Sequence, residues 1–500
     1  MRLIDFVTNI TNEYIDGMPK TQRKKYGQFF TSKETAIFMA ELFTIPKNKS
    51  HLNIIDAGSG TGLLSAALIE RLESIGSIRT INLVCYENDP NIISILKYNL
   101  EWISKNTSLE LNYEIKDKNY ILSQRDEYNG NIDTNKKIMK FDMVISNPPY
   151  MKIPKDAEEA KSMPDICYGT PNLYFLFTAM GLFNLKENGE LVFIIPRSWT
   201  SGAYFTKFRK KLLNYGRLKH IHLFLSRNKV FDKENVLQET IIIKVKKTIE
   251  KVNKITITTT NSNIDFSNKT IFTAPYDIVI SGENRYVFLV TNQNDVEILE
   301  KIDKLEHTLP SIGLKMKTGL TVDFRNKQYL SDNSSNKAVP LFYSQHIQDG
   351  FVKFPIGKKN EYINTVKPGL IQNNTNYLFV KRFTSKEENR RLQCGIYLSK
   401  SQPAYSKIST QNKINFIDSD INELSKNTVY GLYVLFNSTL YDRYYRILNG
   451  STQVNSTEIN SIPIPSLEDI NMLGNKLIEI GDITEISCDS ILGSFINGKN

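Results

Sequence analysis

Leu52-Asn53-Ile54-Ile55-Asp56-Ala57-Gly58-Ser59-Gly60-Thr61-Gly62 decides the fold of this chain. It begins as a short apolar run of strand length and ends in a turn with glycine at alternate positions. The residues that follow, Leu63-Leu64-Ser65-Ala66-Ala67-Leu68-Ile69, carry a helical apolar pattern. Strand, glycine turn and helix in this order form a unit of α/β folds. Gly58, Gly60 and Gly62 let the backbone approach a ligand and take up φ > 0. A second strand, Ile81-Asn82-Leu83-Val84-Cys85-Tyr86, ends in Glu87. That acid follows the turn at about the interval, roughly 20 residues, at which a carboxylate hydrogen-bonds ribose hydroxyls. The GxGxG spacing departs from the GxGxxG of dinucleotide enzymes, and the turn lacks the Gly-Lys-Ser/Thr end of a phosphate-binding loop. The expected ligand is a nucleoside without phosphates.

A third apolar run, Phe141-Asp142-Met143-Val144-Ile145-Ser146, ends in Asn147-Pro148-Pro149-Tyr150. Two prolines fix φ and remove two N–H groups, so the turn is stiff and its carbonyls are free to accept. The exocyclic amine of a nucleobase is a poor nucleophile because its lone pair is delocalised into the ring. If the Asn147 side-chain oxygen and the Pro148 carbonyl each accept one N–H, the nitrogen becomes more tetrahedral and its lone pair turns toward an electrophile. Tyr150 offers a face for the base, and such stacking contributes roughly 1–3 kcal/mol. This combination points to methylation of a planar amino group, although Asn-Pro-Pro by itself also serves as a strand-ending turn.

With these motifs in this order, the chain resembles the gamma-class, TaqI-like adenine-N6 DNA methyltransferases. The resemblance covers about residues 20–250. Tyr26-Gly27-Gln28-Phe29-Phe30-Thr31-Ser32 resembles the N-terminal cofactor motif and implies that Thr31 lies near the methionine end of S-adenosylmethionine. Asp56 to Gly62 resembles the glycine motif, and Tyr86-Glu87-Asn88-Asp89 the ribose-binding one. Asn172-Leu173-Tyr174 with its apolar helix, then Glu187-Asn188-Gly189-Glu190 and the strand Leu191 to Pro196, is similar to later core elements. Where the family commonly has an Asp-Phe-Leu segment whose acid contacts the cofactor adenine, this chain has Asn119-Tyr120-Ile121, with Asp117 as a competing candidate. Val230-Phe231 resembles the motif whose aromatic packs on the target base; Phe231 also reads as an ordinary core aromatic. A base buried in duplex DNA must swing out to be methylated, at a cost of a few kcal/mol that Tyr150 and Phe231 would offset.

The resemblance implies a Rossmann-like methyltransferase domain with a mostly parallel seven-stranded sheet over residues 1–260, followed by an α+β target-recognition domain over 276–500. The polar run Thr258-Thr259-Thr260-Asn261-Ser262-Asn263 marks a loop at the boundary. The cofactor expected is S-adenosylmethionine. The partner expected is double-stranded DNA, with a cognate restriction endonuclease as a genetic rather than physical partner. Length and motif order are similar to the PstI and BsuBI type of modification methylases. A glutamine or RNA N-methyltransferase, or a DNA-binding subunit needing a partner, stands as an alternative.

Composition agrees with a nucleic-acid partner: 63 Lys and Arg against 53 Asp and Glu give a net charge of +10, and a basic surplus favours polyanions. Cys85, Cys167, Cys394 and Cys488 form no CxxC pair, and no metal is expected. His220 and His222 point to one face of a strand as structural histidines. No apolar run reaches the roughly 20 residues of a spanning helix, so a cytoplasmic, nucleoid-associated protein without a membrane partner is expected. In the second half, basic residues cluster at Lys315 to Asn326, Lys381 to Lys386, Arg390-Arg391 and Tyr441 to Arg446, with phosphate as the expected target. Leu448 to Asn455 and Ile462-Pro463-Ile464-Pro465 resemble the close of a target-recognition domain.

Overall fold

In the computed structural model, which describes residues 1–17, 31–131, 139–225, 239–335, 338–385, 387–449 and 452–498, the stretch 52–62 is a strand running into a turn. Helices α1 (Leu3–Gly17) and α2 (Lys33–Glu41) precede β1 (His51–Ala57). The glycine turn leads into α3 (Leu63–Ile75), and then come β2 (Thr80–Glu87), α4 (Pro90–Asn106) and β3 (Glu110–Asp117). Beyond the next crossover lie β4 (Phe141–Ser146), α5 (Glu158–Ser162), α6 (Leu173–Asn184) and β5 (Leu185–Pro196). They are followed by α7 (Thr206–Tyr215), β6 (Gly216–Phe224), β7 (Thr240–Lys247), β8 (Lys254–Thr260) and β9 (Thr270–Pro275).

The strands form one sheet in the order β3-β2-β1-β4-β5-β7-β6-β8-β9. β1 pairs in parallel with both β2 and β4, so the chain reverses its direction of travel across the sheet between them. Strands buried on both faces read as continuous apolar runs, and β4 is buried at all six positions. α6 is buried at eleven of its positions, which is why its sequence shows no polar face.

Two expectations change. The sheet has nine strands rather than seven, because β8 pairs in parallel with β6 and β9 closes the edge antiparallel to β8. The residues Thr258 to Thr260, read as loop, are the buried end of β8. Threonine is β-branched and suits a pleated surface, and here its hydroxyls have partners. Thr258 Oγ1 lies 2.8 Å from both His220 Nε2 and His222 Nδ1. Burial lowers the pKa of these histidines to about 4 and about 3, so they are neutral structural groups. The Glu187-Asn188-Gly189 turn is a bulge inside β5, with Asn188 at φ 65°.

The first compact unit runs from Met1 to Gln293 and the second from Asn294 to Asn500. The first extends past the expected end near 260 because its last turn is tied down: buried Arg209 of α7 donates to Trp199 O, Gly202 O and Asn284 O. The second unit is α+β. It contains a six-stranded and a five-stranded sheet among its described residues, and its helices include Lys426–Phe436, Thr439–Leu448, Leu467–Ile480 and Glu485–Gly498. Helices 426–436 and 467–480 approach so closely that a Cβ on Gly431 would meet the Ile470 carbonyl, and one on Gly474 the Asn427 carbonyl.

Candidate active site

The reversal between β2 and β4 opens a crevice at the carboxyl ends of the strands, where α/β sheets bind ligands. A cleft of about 480 Å³ lies there. Thr31, Gly58, Gly60, Glu87, Asn119 and Asn147 line it together. Asp56, Gly62, Pro148 and Tyr150 lie behind its wall, and Phe231 falls outside the described residues.

The glycine turn is held from both sides. Ser59 N–H donates to Tyr86 O at 2.9 Å, Gly62 N–H to Ser59 O at 2.9 Å, and Gly60 N–H to Glu87 Oε2 at 2.9 Å. Gly60 sits at φ 54°, and a Cβ built there meets no atom within 4 Å, so the bare backbone faces open space. Glu87 Oε1 accepts from the N–H groups of Asn88 and Asp89 at 2.8 and 3.0 Å. Burial raises the pKa of Glu87 against the pull of these three amides. Asp56 is fully buried beneath the turn; its Oδ2 accepts from Ser65 Oγ at 2.6 Å, while its Oδ1 has no hydrogen-bond partner. Desolvation raises its pKa to about 7, and the Ser65 hydrogen bonds oppose the shift.

Opposite, Ser146 Oγ donates to Ala57 O and fastens the end of β4 to that of β1. Asn147 Nδ2 donates to Thr31 Oγ1 at 3.0 Å, bringing Thr31 and the Asn-Pro-Pro-Tyr turn together across 116 residues; the rest of the N-terminal motif, 26–30, lies outside the described residues. Tyr150 is turned inward. Its ring is buried, and its hydroxyl lies 2.8 Å from Asn147 Oδ1 and 3.0 Å from Ile194 O. Burial lifts its pKa well above the ordinary tyrosine value, so it is a neutral donor.

Several residues that line the cleft or brace its lining escaped the sequence reading. Thr11 of α1 shares a 2.6 Å hydrogen bond with Thr61, and Asn99 of α4 holds Thr61 O at 2.8 Å. Glu159 of α5 accepts from Asn119 Nδ2 at 2.9 Å. A lone Thr on an amphipathic helix, or a Glu in a first helical turn, carries no sequence signal of its own.

In the second unit most of the basic clusters are internal. Lys317 lies 3.0 Å from Asp418 and 2.7 Å from Asp420, Arg390 2.8 Å from Glu485, and Arg446 2.7 Å from Asp442. Arg391 is buried against Thr384 and Tyr445. Tyr441, Tyr444 and Tyr445 are buried as well, so much of 390–391 and 441–446 packs within the unit, while the Arg443 side chain stays 42% exposed. Lys315, Arg325 and Lys327 are exposed.

Comparison with known proteins gives the family. The Eco57I restriction-modification methylase family matches residues 69–231. The chain is 31% identical to the Type II methyltransferase M.PstI of Providencia stuartii, over 98% of this chain and 96% of that protein. It is 34% identical to M.BsuBI of Bacillus subtilis, over 94% of each. The chain belongs to the Type II restriction-modification methyltransferases. Among solved structures, a nuclease-deletion mutant of the Type ISP restriction-modification enzyme LlaGI shares its fold with a TM-score of 0.51 at 12% identity, over 90% of this chain and 54% of that one. As a member of this family the chain is an enzyme, and its methyl donor is S-adenosylmethionine. The cleft suits that donor: it has a bare glycine turn at Gly60 and a carboxylate at Glu87. Among the described residues, no three His, Cys, Asp or Glu side chains form a metal cluster, and no helix is long and apolar enough to cross a membrane.

Proposed function

We propose that this enzyme methylates N6 of an adenine swung out of double-stranded DNA, at a sequence read by the second unit. The presence of Asn147 and the glycine turn in one cleft carries this reading. Gly58, Gly60 and Glu87 would hold the donor, with Thr31 toward its methionine end. When bound, S-adenosylmethionine supplies a sulfonium-activated methyl group. Asn147 Oδ1 and the Pro148 carbonyl each take one N–H of the target amine, which concentrates its lone pair toward that methyl. The donor would give up its methyl with the S–C bonding pair left on sulfur, and the amine held by Asn147 and the Pro148 carbonyl would release one proton to water. For the base to enter, Tyr150 must give up its hydrogen bond to Asn147 Oδ1, and its ring then becomes available for stacking.

The enzyme protects DNA in the cytoplasm, at the nucleoid, against an endonuclease of the same specificity that is a genetic partner only. The test is transfer of tritiated methyl from S-adenosylmethionine to unmethylated duplex DNA. Label recovered as N6-methyladenine is expected, and label found only in protein or RNA overturns the proposal. Methylation-sensitive sequencing of DNA from expressing cells then gives the recognition sequence.

A further inference from the structure

Besides Asp89, which caps α4 by accepting from Asn91 N–H at 3.0 Å, the cleft holds a carboxylate that the reading above leaves unused. Glu159 sits on α5 and lines the wall beside Lys118 and Asn119. Asn119 is itself fully engaged as an acceptor: its Oδ1 takes the N–H groups of Ile121 at 3.0 Å and Leu122 at 3.1 Å. An amide oxygen has two lone pairs, so Asn119 has none left for a ligand. Its Nδ2 donates to Glu159 Oε1 at 2.9 Å and holds that side chain in place. Among the described residues no donor reaches Glu159 Oε2.

The order of the strands gives this carboxylate its meaning. The wall runs from Asn119 after β3, through Glu87 after β2 and Gly60 after β1, to Asn147 after β4. A donor whose methyl must reach Asn147 and whose ribose meets Glu87 lays its purine against the end formed by Lys118, Asn119 and Glu159. We infer that Glu159 Oε2 accepts a hydrogen bond from the exocyclic amino group of the cofactor's adenine, with Asn119 as the positioning residue that aims it. A hydrogen bond to an ionised acceptor is shorter and roughly twice as strong as a neutral one. The carboxylate that residue 119 lacks is therefore delivered by α5, on the connection after the Asn-Pro-Pro-Tyr turn.

The inference rests on the cleft being the nucleoside site, and one calorimetric series separates the two. The full-length protein is titrated with S-adenosylhomocysteine and with the same thioether carrying hydrogen in place of the purine 6-amino group. The parent should bind the amino form more tightly by on the order of tenfold. In Glu159→Ala that ratio should fall to about one, the signature of a broken pairwise contact. Glu159→Gln should give an intermediate ratio, because its single oxygen is shared between Asn119 and the ligand. Glu87→Gln should weaken both ligands and leave the ratio as in the parent. A parent-like ratio in Glu159→Ala, with both ligands weakened by Glu87→Gln, overturns the Glu159 assignment alone. Unchanged affinities in Glu87→Gln overturn the reading of the cleft itself. If Glu159→Ala fails to fold by circular dichroism, the ratio in Glu159→Gln decides: a parent value counts against the assignment and a reduced one supports it.

Discussion

Asn147 is pre-aimed by its neighbours: Thr31 fixes its amide nitrogen and the Tyr150 hydroxyl sits on its oxygen. Removing the amide should therefore affect chemistry and not cofactor binding. We predict that Asn147→Ala lowers single-turnover methyl transfer by about 100- to 1,000-fold, the usual loss for one preorganised polar group, with S-adenosylhomocysteine affinity unchanged by calorimetry. Tyr150→Phe keeps the ring and removes only the hydroxyl that must leave, so its rate should stay within about threefold of the parent. A loss as large as that of Asn147→Ala would give the hydroxyl a direct role and reject the proposed entry step. Asp56 yields a pH prediction. Its folded pKa, about 7, lies above the ordinary aspartate value of 3.8. Between those two values the native state keeps a proton that the unfolded chain releases, so this group's contribution to stability falls as pH rises. Urea unfolding of ligand-free protein should show Asp56→Asn gaining on the parent across that window, by on the order of 3 kcal/mol at its upper end. An unchanged difference between the two proteins at pH 4 and pH 7 would contradict it. Asn147, Glu87 and the glycines were legible because each chemistry needs one residue type at one spacing. The inward turn of Tyr150 was not, since a tyrosine reads alike whether it stacks on a base or on its own core.

The glycine turn and its two flanking elements were legible as a unit, because a strand, a GxGxG run and an apolar helix admit few arrangements. Within the turn the glycines have separate reasons. Gly60 faces empty space in the cleft, whereas Gly62, at φ 88°, would bring a Cβ to 3.0 Å from Leu96 Cδ1. Gly62→Ala should therefore cost roughly 1–2 kcal/mol of stability from its left-handed backbone, before any packing strain. Gly60→Ala carries a similar backbone cost and also fills the cleft. It should weaken S-adenosylhomocysteine on the order of tenfold, whereas Gly62→Ala should bind it much as the parent does; urea unfolding and calorimetry separate the two. The last sheet strands were harder to read. Thr258 to Thr260 carry no apolar signal, and only their partners across the strand, His220 and His222, make a polar run into a buried one. Likewise nothing in a window around Gly431 foretells that Ile470 lies against it, because that contact is set by a helix some forty residues away.

Net charge drew attention to the basic clusters of the second half, yet charge counts do not reveal which arginines already have acids. Arg443 lies 3.3 Å from Asp295, and Arg446 is held by Asp442 and by the carbonyls of Glu388 and Asn389. These side chains tie distant parts of the second unit together, whereas Arg325 and Lys327 point into solvent beside exposed Phe324. Each phosphate contact releases condensed counterions, so losing one lowers the slope of log affinity against log salt by about one. If the second unit reads DNA, Arg325→Ala and Lys327→Ala should each reduce that slope by about one and leave the unfolding midpoint nearly unchanged. Arg446→Ala should behave in the opposite way: with the buried carboxylate of Asp442 left to the Arg391 and Leu392 amides alone, it should lower stability by about 2–3 kcal/mol and leave the slope of the remaining folded protein as it was. Fluorescence anisotropy of duplex DNA over a salt series measures the first effect, and urea unfolding the second. A reduced slope in Arg446→Ala with intact stability would mean that the ion pair opens to meet phosphate, and the division between internal and DNA-facing arginines would then have to be redrawn.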